Sequence, residues 1–171
     1  MRFRFNFLTI LFVSMLVSAA AAGQTVINGT AGPDTLYGSA GKDVINGLGG
    51  NDIINSADGN DVINGGEGDD LIDGYDDRDD LTGGPGVDTF YFGWFTYSPD
   101  AGGQRDLITD LEAVDKIDLS NLHVTMENVA VTPQSGQIDW RFVVTFTSGP
   151  NTYSMGVDVK GAQPVAANFI F

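Results

Sequence analysis

The sequence predicts an all-β fold of short parallel strands stacked turn on turn, and three observations predict it. A period of nine residues runs without gaps from Gly29 to Tyr91. The sixth place of every unit is Asp, and the eighth is always large and apolar. Cysteine is absent, so disulfides cannot organise so glycine-rich a chain, and packing, hydrogen bonds or a metal must do so.

Residues 1–22 stand outside this pattern. Arg2 and Arg4 make a basic start, Leu8 to Val17 is apolar apart from Thr9 and Ser14, and "SAAAAG" follows. This is the layout of a secretory signal peptide, with small Ala20 and Ala22 placed for cleavage before Gly23. The apolar run is short for a membrane span. The expected mature chain therefore has no span and begins with a short lead, residues 23–28. It carries 23 Asp and Glu against six Lys and Arg, which makes nucleic acid a poor partner and a cation a natural one.

Seven nonapeptides follow: GTAGPDTLY, GSAGKDVIN, GLGGNDIIN, SADGNDVIN, GGEGDDLID, GYDDRDDLT and GGPGVDTFY. Their sixth residues are Asp34, Asp43, Asp52, Asp61, Asp70, Asp79 and Asp88, and their eighth are Leu36, Ile45, Ile54, Ile63, Ile72, Leu81 and Phe90. Glycine opens six units, with Ser56 the exception, and holds the fourth place in six, with Asp77 the exception. The first six places call for tight, partly left-handed backbone, which glycine supplies without a Cβ clash. The last three are β-prone, with the middle side chain facing one way. A three-residue strand is unstable alone but can stack on equivalent strands and bury that middle residue.

These units resemble the Gly-Gly-x-Gly-x-Asp-x-apolar-x repeats of RTX (hemolysin-type) calcium-binding proteins. The resemblance implies a parallel β-roll with two units per turn and a β-rich C-terminal cap. Leu36, Ile54, Ile72 and Phe90 then line one side, and Ile45, Ile63 and Leu81 the other. It also implies Ca²⁺ between the loops of successive turns, held by Asp carboxylates and backbone carbonyls. The carboxylate pairs are Asp34/Asp52, Asp52/Asp70 and Asp70/Asp88 on one flank, and Asp43/Asp61 and Asp61/Asp79 on the other, about five ions in all. The loop glycines carried over with them are Gly29, Gly32, Gly38, Gly41, Gly47, Gly50, Gly59, Gly65 and Gly68. Thr30, Ser39, Leu48, Ala57 and Tyr75 replace the second glycine, a place that offers its carbonyl rather than its side chain. Asp77 demands left-handed backbone of a residue with a Cβ, so unit 6 departs most from the pattern. Hard oxygen donors of both kinds suit calcium. Zinc would want nitrogen or sulfur, and the chain has one His and no Cys.

Beyond Tyr91 the period lapses. The aromatic stretch "FYFGWFTY", residues 90–97, is expected to plug the open end of the roll, because terminal repeats need capping. Together with "GVDTFYF", the segment "DLITDLEAVDKIDLSNL", residues 106–122, is similar to the C-terminal domain of serralysin-type metalloproteases and to modules of alginate epimerases. The similarity makes Asp106, Asp110, Asp115 and Asp118 candidates for further calcium contacts and assigns residues 92–171 to a capping region. "QIDWRFVVTF" and "YSMGVDVKG" read as strands paired across "SGPN".

Catalytic constellations are lacking. There is no H-E-x-x-H, no G-x-S-x-G and no phosphate loop, and His123 stands alone in "NLHVTM". The expected protein is thus a secreted, monomeric, non-enzymatic calcium binder. An adhesion module for extracellular polysaccharide or a secreted protein, or an accessory module of a secreted enzyme, is the alternative. Residues 29–91 carry 14 acids and two bases, so without metal they should repel one another and with metal compact.

Overall fold

The computed structural model describes residues 14–15, 24–93, 105–136, 138–148 and 151–171. The expected signal peptide falls outside them, except for a two-residue strand β1 (Ser14–Met15) beside Thr35 and Leu36.

Each repeat folds as its composition dictates, with glycine-rich backbone turning and the β-prone tail forming a strand. The tails of units 1, 3, 5 and 7 become β3 (Thr35–Tyr37), β5 (Ile53–Asn55), β7 (Leu71–Asp73) and β9 (Thr89–Tyr91), paired in parallel in one sheet. Units 2, 4 and 6 supply β4 (Asp43–Gly49), β6 (Val62–Glu67) and β8 (Asp80–Thr82) to a second. Register is strict at 18 residues per turn, with Ile54 opposite Ile72 and Ile45 opposite Ile63. The eighth-place side chains point inward and are at most 2% exposed. Burying each such Ile or Leu contributes about 1.5–3 kcal/mol.

Both ladders run past the repeats. At the start, β2 (Thr25–Asn28) pairs with β4 and adds Ile27 beneath Ile45. At the end, β10 (Leu107–Leu111) lies on β8 with Ile108 opposite Leu81. On the other sheet, β11 (Lys116–Asp118) lies on β9 with Ile117 opposite Phe90. These two steps are 27 residues long instead of 18, one nonapeptide more than a turn of the repeats.

The cap closes the far end. Strands β12 (Val129–Pro133), β13 (Trp140–Ser148) and β14 (Asn151–Gly161) form an antiparallel meander, with Ser148 opposite Asn151. This is the expected pairing of the last two long strands. β14 joins β10 in parallel, and β15 (Phe169–Ile170) completes the first sheet beside β11. Phe142 packs edge-on against Phe92 at 6.0 Å and Phe169 at 5.5 Å between ring centroids. Of the expected aromatic plug, Phe90 and Phe92 are buried core residues, whereas Trp94, Phe95 and Tyr97 lie outside the described residues. Within the described residues the cluster over the last turn is thus built with the later Phe142 and Phe169. Arg141 clamps Asp158 across β13 and β14 with a bidentate pair at 2.5 and 3.2 Å. The Asp158 N–H donates to the Asp106 carbonyl at 2.9 Å, which ties the cap to the last turn.

Ile63 is fully buried between Ile45 and Leu81, whereas Val26 is 60% exposed. Ile63→Ala should therefore lower stability by about 2–5 kcal/mol in urea unfolding with calcium present. Val26→Ala should stay within about 0.5 kcal/mol. Equal losses would contradict the inward assignment of the eighth place.

Candidate metal centre

The loop aspartates form two columns, one on each flank of the roll. Within a column, the N–H of each aspartate donates to Oδ1 of the aspartate one turn on. Asp34 bonds Asp52, Asp52 bonds Asp70 and Asp70 bonds Asp88 on one flank; Asp43 bonds Asp61 and Asp61 bonds Asp79 on the other, at 2.7–3.0 Å. The contacts link the carboxylate pairs expected from the repeats. Both columns continue, because Asp79 donates to Asp106 at 3.0 Å and Asp88 to Asp115 at 3.1 Å.

The continuation was legible in outline. Asp106 and Asp115 lie 18 and 27 residues after Asp88, in phase with the period, and Ile108 and Ile117 follow two places later as in every repeat. Likewise Val26-Ile27-Asn28 repeats the tails of units 2 and 4. Of the other candidates, Asp110 accepts the Gly83 and Gly84 N–H groups at 3.0 and 2.9 Å, and Asp118 accepts only the local Ser120 N–H at 2.9 Å.

The second carboxylate oxygen distinguishes the loops. Oδ2 of Asp52, Asp61, Asp70, Asp79 and Asp88 is buried and has no hydrogen-bond partner among the described residues. Leaving such an atom bare is costly, and a cation beside it would offset that cost. Carbonyl oxygens lie close by. A Cβ built on Gly47 would collide with both Asp52 Oδ2 and the Gly65 carbonyl oxygen. One on Gly65 would collide with Asp70 Oδ2 and meet the Gly83 oxygen at 2.8 Å. Gly29 and Gly38 bear the same relation to Asp34 with the Gly47 oxygen and to Asp43 with the Ser56 oxygen. The first-place glycine therefore keeps open a cradle between carboxylate and carbonyl. Among the described residues no three His, Cys, Asp or Glu side chains converge, so a cation here would complete its shell with carbonyls. That mixture of hard oxygens fits calcium.

Left-handed backbone is confined to the later loops. The second place has positive φ at Leu48 (78°), Ala57 (65°), Gly66 (109°), Tyr75 (65°) and Gly84 (97°). The fourth has it at Gly50, Gly59, Gly68, Asp77 (77°) and Gly86. Asp77 thus adopts the conformation that its missing glycine would have supplied. Gly32 and Gly41 are not in that region, and neither are Thr30 and Ser39. Here the expectation that second-place side chains stand aside needs correction. Thr30 places its N–H 2.5 Å and its hydroxyl 2.9 Å from Asp34 Oδ2. Ser39 does the same to Asp43 Oδ2 at 2.6 and 3.0 Å. Short hydroxylated side chains can bond nearby backbone and carboxylate, and a β-branched Thr resists left-handed φ.

Electrostatics follows from burial. Desolvation raises Asp52 and Asp61 from 3.8 to about 6, with the Asp34 and Asp43 N–H groups only partly opposing it. Burial raises Asp88 and Asp106 to about 7, and burial with the Asp106 charge raises Asp79 to about 9. Asp70 and Asp115 shift upward for the same first reason. A positive ion beside these groups would reverse the penalty.

The repeat region matches the model of the RTX calcium-binding nonapeptide repeat twice, over residues 21–54 and 55–90. Two solved structures are 30% identical to the chain. One is the AlgE6R3 subunit from the Azotobacter vinelandii mannuronan C5-epimerase, covering 84% of this chain and 80% of that one, with a TM-score of 0.41. The chain belongs to the RTX calcium-binding repeat family. The other is the AlgE6R2 subunit from the same enzyme, covering 85% of this chain and 91% of that one, with a TM-score of 0.45. No curated protein matches. As an RTX protein the chain binds Ca²⁺ through a β-roll, and no helix among its described residues is long and apolar enough to cross a membrane.

Two outcomes follow from the geometry. Gly65→Ala forces a Cβ into the cradle and should cost about 1–3 kcal/mol in calcium-saturated urea unfolding. Gly32→Ala, with nothing within 4 Å of an added Cβ, should be near neutral. The reverse order would refute the cradle. In chelator, carboxyls with folded values raised above 3.8 bind protons more tightly folded than unfolded, so acid favours the fold. The circular dichroism β signal of ion-free protein should therefore grow as pH falls from about 9 through about 6. In calcium the same acidification should release ions and weaken the fold. A β signal in chelator that declines across that window would contradict the buried column.

Proposed function

We propose that this is a secreted, non-enzymatic calcium-binding protein whose repeats fold into the β-roll on binding about five Ca²⁺ ions. The observation that carries this reading is the row of buried Oδ2 atoms without protein partners at Asp52, Asp61, Asp70, Asp79 and Asp88. Bound calcium supplies the positive charge that lets stacked carboxylates remain ionised out of water. The chain supplies the rest. Its first-place glycines keep the cradles open, its carbonyls point into them, and its strands hold successive loops one turn apart. An extended acidic chain would thus emerge from secretion and compact where calcium is abundant. Residues 29–91 are the repeat core of the calcium-folded roll, which β2 extends at the start and β10 and β11 at the end; the later strands cap it, and the mature protein is a monomer beginning after residue 22.

A second reading is that the calcium-rigidified roll is an accessory or adhesion module for a polysaccharide. The 30% identity to two subunits of a mannuronan C5-epimerase supports it. With a formal charge of −15, the chain would need calcium to bridge it to an acidic glycan. Calcium-dependent retention of the protein by immobilised mannuronan, lost in chelator, would favour this reading.

Calorimetric titration of the mature protein with calcium should give a stoichiometry near five. Far-UV circular dichroism should change from largely unordered in excess EGTA to β-rich in millimolar calcium. Equal β content in the two conditions would sink calcium-coupled folding.

A further inference from the structure

We propose that the first turn of the roll carries no calcium. Thr30 and Ser39 occupy the role of the ion there, and the ion ladder begins one turn later than the repeat pattern implies. The inference rests on the calcium reading above and deepens it.

Each cradle lies between one loop and the loop a turn ahead. The Asp52 cradle is bounded by Gly47 and the Gly65 carbonyl, and the Asp70 cradle by Gly65 and the Gly83 carbonyl. By the same geometry the Asp34 cradle lies between Gly29 and the Gly47 carbonyl, and the Asp43 cradle between Gly38 and the Ser56 carbonyl. At these first two, Oδ2 already accepts an N–H and faces a hydroxyl of the same residue. The N–H satisfies that oxygen as an anion, and the hydroxyl, whose one hydrogen is shared with the Gly32 carbonyl at Thr30 and with Asp43 Oδ1 at Ser39, stands in the space a cation would need. From unit 3 onward the second place turns left-handed and the donors are withdrawn. Unit 4 illustrates the difference, because the Ser56 hydroxyl donates forward to the Gly74 carbonyl at 2.9 Å and Asp61 Oδ2 stays unpartnered.

The same flank is closed at its other end. Asp115 Oδ2 accepts the Glu112 N–H at 2.7 Å, so the column begun at Asp34 has protein donors on its first and last carboxylates. Between them Asp52, Asp70 and Asp88 are open, as are Asp61 and Asp79 on the other flank. The count of about five is retained but the set moves. The pairs Asp34/Asp52 and Asp43/Asp61 drop out, and the pairs Asp79/Asp106 and Asp88/Asp115 enter.

Native mass spectrometry of the mature protein at saturating calcium reads the set directly. Asp34→Asn with Asp43→Asn should keep the wild-type ion count, whereas Asp52→Asn or Asp79→Asn should each lower it. Loss of ions from the Asp34/Asp43 double variant would overturn the inference. Thr30→Gly with Ser39→Gly removes the hydroxyls and admits left-handed backbone, so it should raise the count by up to two. An unchanged count there would also overturn the inference, and this arm decides alone if the Asn variants fail to fold. A wild-type protein that binds no calcium at all would instead remove the calcium reading on which the inference stands.

Discussion

The bond from the N–H of one loop aspartate to the carboxylate of the next sets the spacing of successive turns and drives the carboxylate out of water. It is worth little by itself, about 1–3 kcal/mol with a charged acceptor, but it recurs along both flanks of the roll. Each repetition adds another buried negative charge beside the last. What stacks the turns is therefore also what destabilises them when no cation is present. Glycine at the first place, left-handed backbone at the second and fourth, and an acid-rich composition all serve that one arrangement.

The repetitive part of the fold was legible because a period of nine leaves few alternatives. Sidedness follows from unit parity, register from the 18-residue turn, and the core from the eighth place. The two columns of stacked carboxylates were legible for the same reason. What escaped was local chemistry at the second place, where five different replacements look alike until backbone conformation separates them. Thr30 and Ser39 bend back to their own aspartates, whereas Leu48, Ala57 and Tyr75 accept left-handed φ. Asp106 and Asp115 were legible as candidates for further calcium contacts, but their place in the two columns was hidden because the aromatic stretch breaks the glycine pattern before them. Phe142 and Phe169 gave no signal as closing residues, since their meeting with Phe92 depends on tertiary contacts far apart in sequence.

A stack of this kind is nearly one-dimensional, so its stability is a sum of contacts between neighbouring turns. Ends matter disproportionately in such systems. At the far end the Phe cluster, the Arg141–Asp158 pair and Asn168 lock the last strands together. The buried Asn168 amide reaches the Ala113 and Asp115 carbonyls at 3.3 and 2.9 Å. Among the described residues the near end has no comparable cluster of side chains. There, Thr30 and Ser39 on the first two loops supply donors to the Oδ2 atoms of Asp34 and Asp43.

The 27-residue step between β8 and β10, and between β9 and β11, has a consequence for how such chains vary. The separation grows there by a whole unit's length, and the strands on either side still pair in parallel as at the other turns. Lengthening a surface connection costs only about 0.6 kcal/mol per doubling. The ladder is thus a splice-tolerant scaffold. At that junction extra sequence is accepted with the register of both sheets kept, so the chain can lengthen there without disturbing the carboxylate columns.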